Sequence, residues 1–305
     1  MYEVIGQAAI LILCGVLWRV ITPQGLDADT LRNSLTTLVY MLLLPALVLV
    51  VLWRAELTLD AIKVALLATL GIGVGMGVAW LWFRRKRPAA AALGALLLAA
   101  AFPNATYMGL PVLEASLGPW ARAVAIQYDL FACTPLLLSA GVMLAQHYGG
   151  SGESAHPLRN LLRVPPLWAA LAGVALNLGQ MPLPSLAGGV MDMLAAGVVP
   201  LMLFSLGLGL RWGSGWGNRL ALVMPVVLIQ LLITPLVVYG ASDLAGLQGA
   251  VRTAVVLEAA MPSMVLGIVL CDRYRLDTNL YAMAVTLSTA LSIVTLPMWF
   301  ALAGV

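Results

Sequence analysis

Two proline-centred stretches and three acidic residues carry the chemistry in this sequence. The first stretch runs Ala101-Phe102-Pro103-Asn104-Ala105-Thr106-Tyr107-Met108-Gly109-Leu110-Pro111, and the second Glu258-Ala259-Ala260-Met261-Pro262-Ser263-Met264. Both lie inside apolar runs. Proline removes a backbone donor and clashes with the preceding turn. Two prolines, a glycine and an asparagine within nine residues therefore predict a broken helix at Pro103, and Pro262 predicts a second one. A half-helix that restarts after such a break presents unpaired N–H groups and partial positive charge. A carboxylate fits there without lysine or arginine, and no basic residue sits in the middle of any apolar run. Asn104 and Ser263 can hydrogen-bond the same anion. The plainer alternative is two packing kinks with no ligand.

Asp129, Asp192 and Glu258 are acidic residues within apolar runs. Ionisable groups inside a membrane are costly and are functional candidates by default. Asp129 and Glu258 beside an anion would repel it unless a proton or Na⁺ neutralised them. Both are read as coupling residues, with backbone capping at the breaks as the alternative; Asp192 is the weaker candidate. Gln127, Tyr128 and Tyr107 are read as cavity wall. Asn33 and Tyr40, seven residues apart and so on one helix face, are candidates from the second run. No HExxH, GxSxG or Walker pattern occurs, so an enzyme is not expected, nor is a cofactor beyond a coupling H⁺ or Na⁺. Cys14, Cys133 and Cys271 read as small buried apolar side chains. His147 and His156 do not make a metal site by themselves.

The elements that hold these residues must cross a bilayer. The chain has 305 residues, 62% of them hydrophobic and 10% charged. A soluble domain carries about 45–50% and about 25%. The net charge of +3 is too small to suggest a nucleic-acid partner. Ten apolar runs are long enough to span: 4–21, 31–53, 61–83, 89–115, 122–146, 165–180, 187–211, 219–241, 251–271 and 278–302, the sixth being the shortest. The first is not read as a secretory signal, because Glu3 precedes it and no cleavage pattern follows. Lysine and arginine divide 12 against 4 between the two sides. The positive-inside rule then places Arg84–Arg87 in the cytoplasm and both termini outside, in the cell's inner (plasma) membrane.

A Gly- and Ser-rich linker, residues 147–164, separates a first five-helix unit, 1–146, from a second, 165–305. Prolines recur in order across the two: Pro45 with Pro200, Pro103 with Pro262, and Pro135 with Pro297, at offsets of 155, 159 and 162. Five is odd, so the second copy is inverted, as in many secondary transporters. The expected fold is an all-α membrane protein of ten transmembrane helices in two inverted five-helix repeats, with helices four and nine broken and crossing. Gly71-Ile72-Gly73-Val74-Gly75-Met76-Gly77 resembles a dinucleotide fingerprint only superficially. It lies in an apolar span and reads as small-residue helix packing. Arg84-Arg85-Lys86-Arg87 reads as a topology anchor.

The stretch Phe102–Leu113, together with Glu258–Ser263, Asp272-Arg273-Tyr274 and Leu287-Ser288-Thr289, resembles the auxin efflux carrier family, which includes bacterial organic-acid carriers and the plant PIN auxin exporters. One departure is Ala105-Thr106, where family members often carry glycine. The resemblance implies a scaffold from helices 1, 2, 6 and 7, a mobile transport unit from helices 3–5 and 8–10, and a homodimer. The function expected is secondary transport of a small organic anion, such as a carboxylate or auxin-like acid, by elevator-type alternating access. A Na⁺-coupled symporter of the bile-acid carrier type is the alternative. A cation/proton antiporter fits less well, because it usually needs two adjacent carboxylates and span five offers Asp129 alone.

Overall fold

The computed structural model describes residues 2–55, 60–150, 162–210 and 216–304. Most of the linker, 151–161 with His156 and Arg159, lies outside the described residues, as does Arg211. The described chain is all helical apart from one isolated antiparallel bridge between Pro103 and Ser263.

Apart from a short 3-10 turn at Pro23–Gly25, the helices of the described residues are α1 (Tyr2–Ile21), α2 (Ala28–Arg54), α3 (Asp60–Lys86), α4 (Ala90–Ala101), α5 (105–117), α6 (Ala121–Gly149), α7 (Pro165–Leu178), α8 (Ser185–Gly209), α9 (216–244), α10 (Gly249–Ala259), α11 (Gly267–Tyr274) and α12 (Thr278–Ala303). Local sequence starts two of them clearly. The Asp27 carboxylate accepts from the Thr30 amide at 2.8 Å at the head of α2, a bond that holds its pKa below the ordinary aspartate value. Asp277 does the same for the Leu280 amide at 3.0 Å at the head of α12, and also receives Arg219 at 3.0 Å.

Six helices are long and apolar enough to cross a membrane as continuous rods: α2, α3, α6, α8, Arg219–Leu244 of α9, and α12. The other four apolar runs behave differently. The 12-residue α4 reaches only about 18 Å and the 11-residue α10 less, little more than half of a hydrocarbon core of about 30 Å. Each stops at the sequence's proline break and resumes as α5 or α11. The sixth run gives the 14-residue α7, and the apolar part of α1 is Ala9–Ile21.

Four prolines inside helices share one local solution. Pro45, Pro111, Pro135 and Pro235 each follow a wide, π-type turn ending two residues earlier, at Leu43, Gly109, Cys133 and Ile233. In each case the amide just before the proline reaches back five residues: Leu44 to Val39, Leu110 to Ala105, Thr134 to Asp129 and Thr234 to Ile229. Widening the turn makes room for the ring, which would otherwise strike the carbonyl four residues back. Pro297 lies within the helical run of α12, so Pro135 and Pro297, aligned by sequence offset, differ in local geometry.

Packing sorts the helices into two groups. The carboxyl half of α2 packs on α7 and on the start of α8; the carboxyl half of α8 packs on α1 and on the amino half of α2. In the other group α3 packs on α4 and α9, α12 on α4, α9 and α10, and α10 on α6 and α9. Contact between the groups runs mainly through α5 and α6. The glycine run of α3 is split by face. A Cβ on Gly75 would lie 2.2 Å from the Ala100 carbonyl oxygen, whereas Gly73 and Gly77 have open space around them. Of the four, Gly75 lets α4 approach closely, and Gly71 faces Thr234 and Val238 of α9. Cys14 departs from expectation: it is exposed on α1, while Cys133 and Cys271 are buried.

Candidate functional site

The ends of α4 and α10 meet in the interior. After Ala101 the backbone extends at Phe102, with φ −107° and ψ 109°. Extension frees Phe102's carbonyl, which accepts the Met264 amide at 2.9 Å, and the Asn104 amide donates to the Pro262 carbonyl at 2.8 Å. These two bonds join the interruptions as a short antiparallel pair. Each interruption thus satisfies backbone groups that the other's proline leaves over.

Side chains finish the second interruption. The Ser263 hydroxyl donates to the Ala99 carbonyl at 2.7 Å, and Ser288 accepts the Ser263 amide at 3.1 Å. Tyr281 donates to the Met264 carbonyl at 2.7 Å, and the fully buried Gln230 amide to the Met261 carbonyl at 3.0 Å. At the first interruption the Asn104 carbonyl accepts the Met108 and Gly109 amides at 3.2 and 2.9 Å. Its side chain is 1% exposed, and the Nδ2 group is buried without a partner among the described residues.

The two coupling candidates occupy different settings. Asp129 opens the wide turn of α6 and accepts from the hydroxyls of Thr106 and Thr134, the latter at 3.1 Å. Glu258 is 0% exposed, and neither carboxyl oxygen has a hydrogen-bond partner among the described residues. Its carboxyl rests on the backbone of Gly109, where an added Cβ would fall 2.3 Å from Oε2.

Three cavities lie along the seam between the two helix groups. The central one, about 40 Å³, is lined by Asn104, Thr106, Tyr107, Asp129 and Thr134, with Tyr40 and Leu266 closing it. It has room for about one or two waters. On one side, sharing Tyr107 and Leu266, is a cavity of about 210 Å³ that includes Arg32, Asn33 and Ser205. A third, of about 710 Å³, includes Gln127, Arg54, Arg122 and Asp192.

The sequence-derived candidates are therefore not one cluster. Asn104, Tyr107, Tyr40 and Asp129 share the central cavity, and Pro103, Pro262 and Ser263 form the crossing behind it. Ser263 does not line the cavity, since its hydroxyl is committed to Ala99. Gln127 faces the large outer cavity, and Tyr128 is fully buried with its hydroxyl toward Gly71 of α3. Successive helix residues point about 100° apart, so Gln127, Tyr128 and Asp129 could not line one wall together. Asn33 lies in the 210 Å³ cavity and not with Tyr40, and Asp192 is half exposed in a bidentate pair with Arg54 at 2.8 and 3.0 Å. Sequence reasoning missed Thr106, Thr134, Gln230 and Ser288. It also took Arg32 as a topology mark at a span end, whereas Arg32 is 8% exposed and walled in by α8. The signal for the two threonines was available in their spacing, 106 in the break and 134 beside Pro135.

Comparison with known proteins agrees with this architecture. Residues 154–300 match the family model described as membrane transport protein. An uncharacterized transporter of Methanothermobacter thermautotrophicus is 31% identical over 300 residues, covering 97% of this chain and 96% of the relative. An uncharacterized transporter of Methanocaldococcus jannaschii is 26% identical over 218 residues, 68% of this chain and 67% of its own length. A multi-pass helical membrane protein with these relatives is a transporter and not an enzyme, and the chain belongs to the membrane transport protein family, that of the auxin efflux carriers.

Proposed function

We propose that the protein is a secondary transporter that carries a small organic anion by elevator-type alternating access, with the anion held at the crossing of the two interrupted helices. One observation carries the reading. Asn104 presents a buried amide, unpartnered among the described residues, at the edge of a cavity beside two helix breaks, and none of the described residues lining that cavity is lysine or arginine. Such a site suits one carboxylate held by backbone N–H groups and an amide. Unpartnered buried amides are costly, so a ligand that bonds Nδ2 recovers that cost.

In this reading the chain crosses the inner (plasma) membrane ten times as two inverted repeats, with both termini outside. Helices α1, α2, α7 and α8 form the scaffold, and the protein works as a homodimer. The remaining helices form the moving unit. The central cavity of about 40 Å³ is too small for an organic anion, so the unit slides past α2 and α7 to admit one. Asp129 and Glu258 carry the coupling charge. Coupling by Na⁺ instead of H⁺ is favoured by the oxygen set of Asp129, Thr106 and Thr134 around a space of water size.

The decisive test is Asn104→Ala in proteoliposomes. Uptake of a carboxylate that wild-type protein carries falls to background while the purified protein keeps its apparent unfolding temperature. Wild-type uptake by the variant removes the crossing as the site. Asp129→Asn shifts the dependence of transport on imposed Na⁺ or pH gradients more than it shifts KM. A change in KM alone removes the coupling role.

A further inference from the structure

The carboxyl end of α3 carries two features with no use inside the protein: the cations Arg84–Arg87, and the glycines Gly73 and Gly77, which face open space. They share a face. Leu66, Leu70, Gly73, Gly77, Leu81 and Arg84 follow at intervals of three and four residues, the spacing that lines one side of a helix. This side is turned away from the protein: Leu66, Leu70, Leu81 and Arg84 are exposed, whereas Ala79 and Phe83 are fully buried. Elsewhere Arg19, Arg54, Lys63, Arg122, Arg219 and Arg252 each pair with a carboxylate. Arg84, Arg85, Lys86 and Arg87 have no ion pair among the described residues, and Arg84 lies instead over the Trp80 ring, 5.5 Å from its centroid. The indoles differ in the same way. Trp53, Trp120 and Trp168 donate their N–H groups to protein carbonyls at 2.8, 2.7 and 2.9 Å. Trp80 and Trp82 are 45% and 51% exposed, and neither indole has a hydrogen-bond partner among the described residues.

Unpaired cations, open indole donors and an exposed apolar face below them suit an anionic headgroup joined to hydrocarbon. We infer that the carboxyl end of α3 is a binding site for an anionic phospholipid. Arg84 and Arg85 hold the phosphate, the indoles of Trp80 and Trp82 stand at headgroup level, and an acyl chain lies over Gly77 and Gly73. The dimensions agree. The 27 residues of α3 measure about 40 Å, so its end stands beyond a hydrocarbon core of about 30 Å. From Gly73 to Arg84 the axis rises about 16 Å, and one leaflet of hydrocarbon is about 15 Å deep. A second copy of the chain suits this face poorly, because a twofold contact within the bilayer sets the same cations against each other. The inference rests on the membrane placement proposed above and not on the anion at the crossing.

Full-length protein in detergent is titrated with dioleoyl phosphatidylglycerol and with dioleoyl phosphatidylcholine, and bound lipid is counted by native mass spectrometry. Wild type binds phosphatidylglycerol at least tenfold more tightly. Arg84→Gln/Arg85→Gln, which keeps Lys86 and Arg87 as cations at that end, weakens phosphatidylglycerol at least tenfold and leaves phosphatidylcholine unchanged. Gly77→Leu leaves every charge in place and replaces a helix-weakening glycine. By filling the open space it weakens phosphatidylglycerol at least threefold, and it decides the matter if the double variant does not fold. Millimolar glycerol 3-phosphate does not displace the lipid. Equal binding of the two lipids by wild type, an equal loss of both in the double variant, or wild-type affinity in the folded double variant or in Gly77→Leu overturns the site. Displacement by glycerol 3-phosphate also overturns it, since a free phosphate ester is then the ligand. No transported anion is present in these titrations, so their outcome is independent of uptake by Asn104→Ala.

Discussion

The two interruptions are partners in one backbone pair, yet their side chains are used in opposite ways. Around Pro262 the backbone groups freed by the break and the Ser263 hydroxyl have protein partners, Ser263 with Ala99 and Ser288, Met264 with Tyr281 and Met261 with Gln230, while Gln230 Oε1 and the Glu258 carboxyl have none among the described residues. Around Pro103 the amide of Asn104 is left open, and the next turn puts Thr106 and Tyr107 at a cavity. Resemblance in sequence position thus conceals a division of labour. The backbone of one break is fastened by side chains from its surroundings, whereas the other leaves the amide of its own asparagine in reserve.

That contrast can be broken by substitution, taken from the largest expected loss of stability to the smallest. Gly109→Ala forces a methyl into the Glu258 carboxyl, and overpacking of this kind costs about 3 kcal/mol. Glu258→Ala in the same chain restores most of the loss in a denaturation series. No rescue means that the carboxyl is not what Gly109 accommodates. Ser263→Ala strands the Ala99 carbonyl in the interior and lowers stability by about 2 kcal/mol. Tyr281→Phe removes one bond to the Met264 carbonyl, for about 1 kcal/mol. Asn104→Ala deletes a group with no bond to lose and stays within about 0.5 kcal/mol of wild type. A large loss at Asn104, or none at Ser263, erases the distinction between the two breaks.

The breaks were legible because proline acts locally: wherever the chain goes, the ring lacks a donor. Asn104 and Asp129 were legible for a similar reason, as polar groups in apolar surroundings that demand an explanation. What sequence could not supply was azimuth and neighbours. Gln127 and Tyr128 were grouped with Asp129 by adjacency, although a helix sends consecutive side chains to different faces. Asn33 and Tyr40 share a face over seven residues, but the seam closes between them and gives each its own cavity. Arg32 stands next to a span boundary, and its burial depends on α8, which arrives some 170 residues later in the chain. Ser263 was correctly marked as polar at a break, yet its hydroxyl was already claimed by Ala99 on the other rod.

The paired amides at Phe102–Met264 and Asn104–Pro262 also have a mechanical meaning. Two chain segments about 160 residues apart are stitched by a seam of nearly buried residues. Pulling on either rod therefore drags its counterpart, and a load applied at one tip is felt by both.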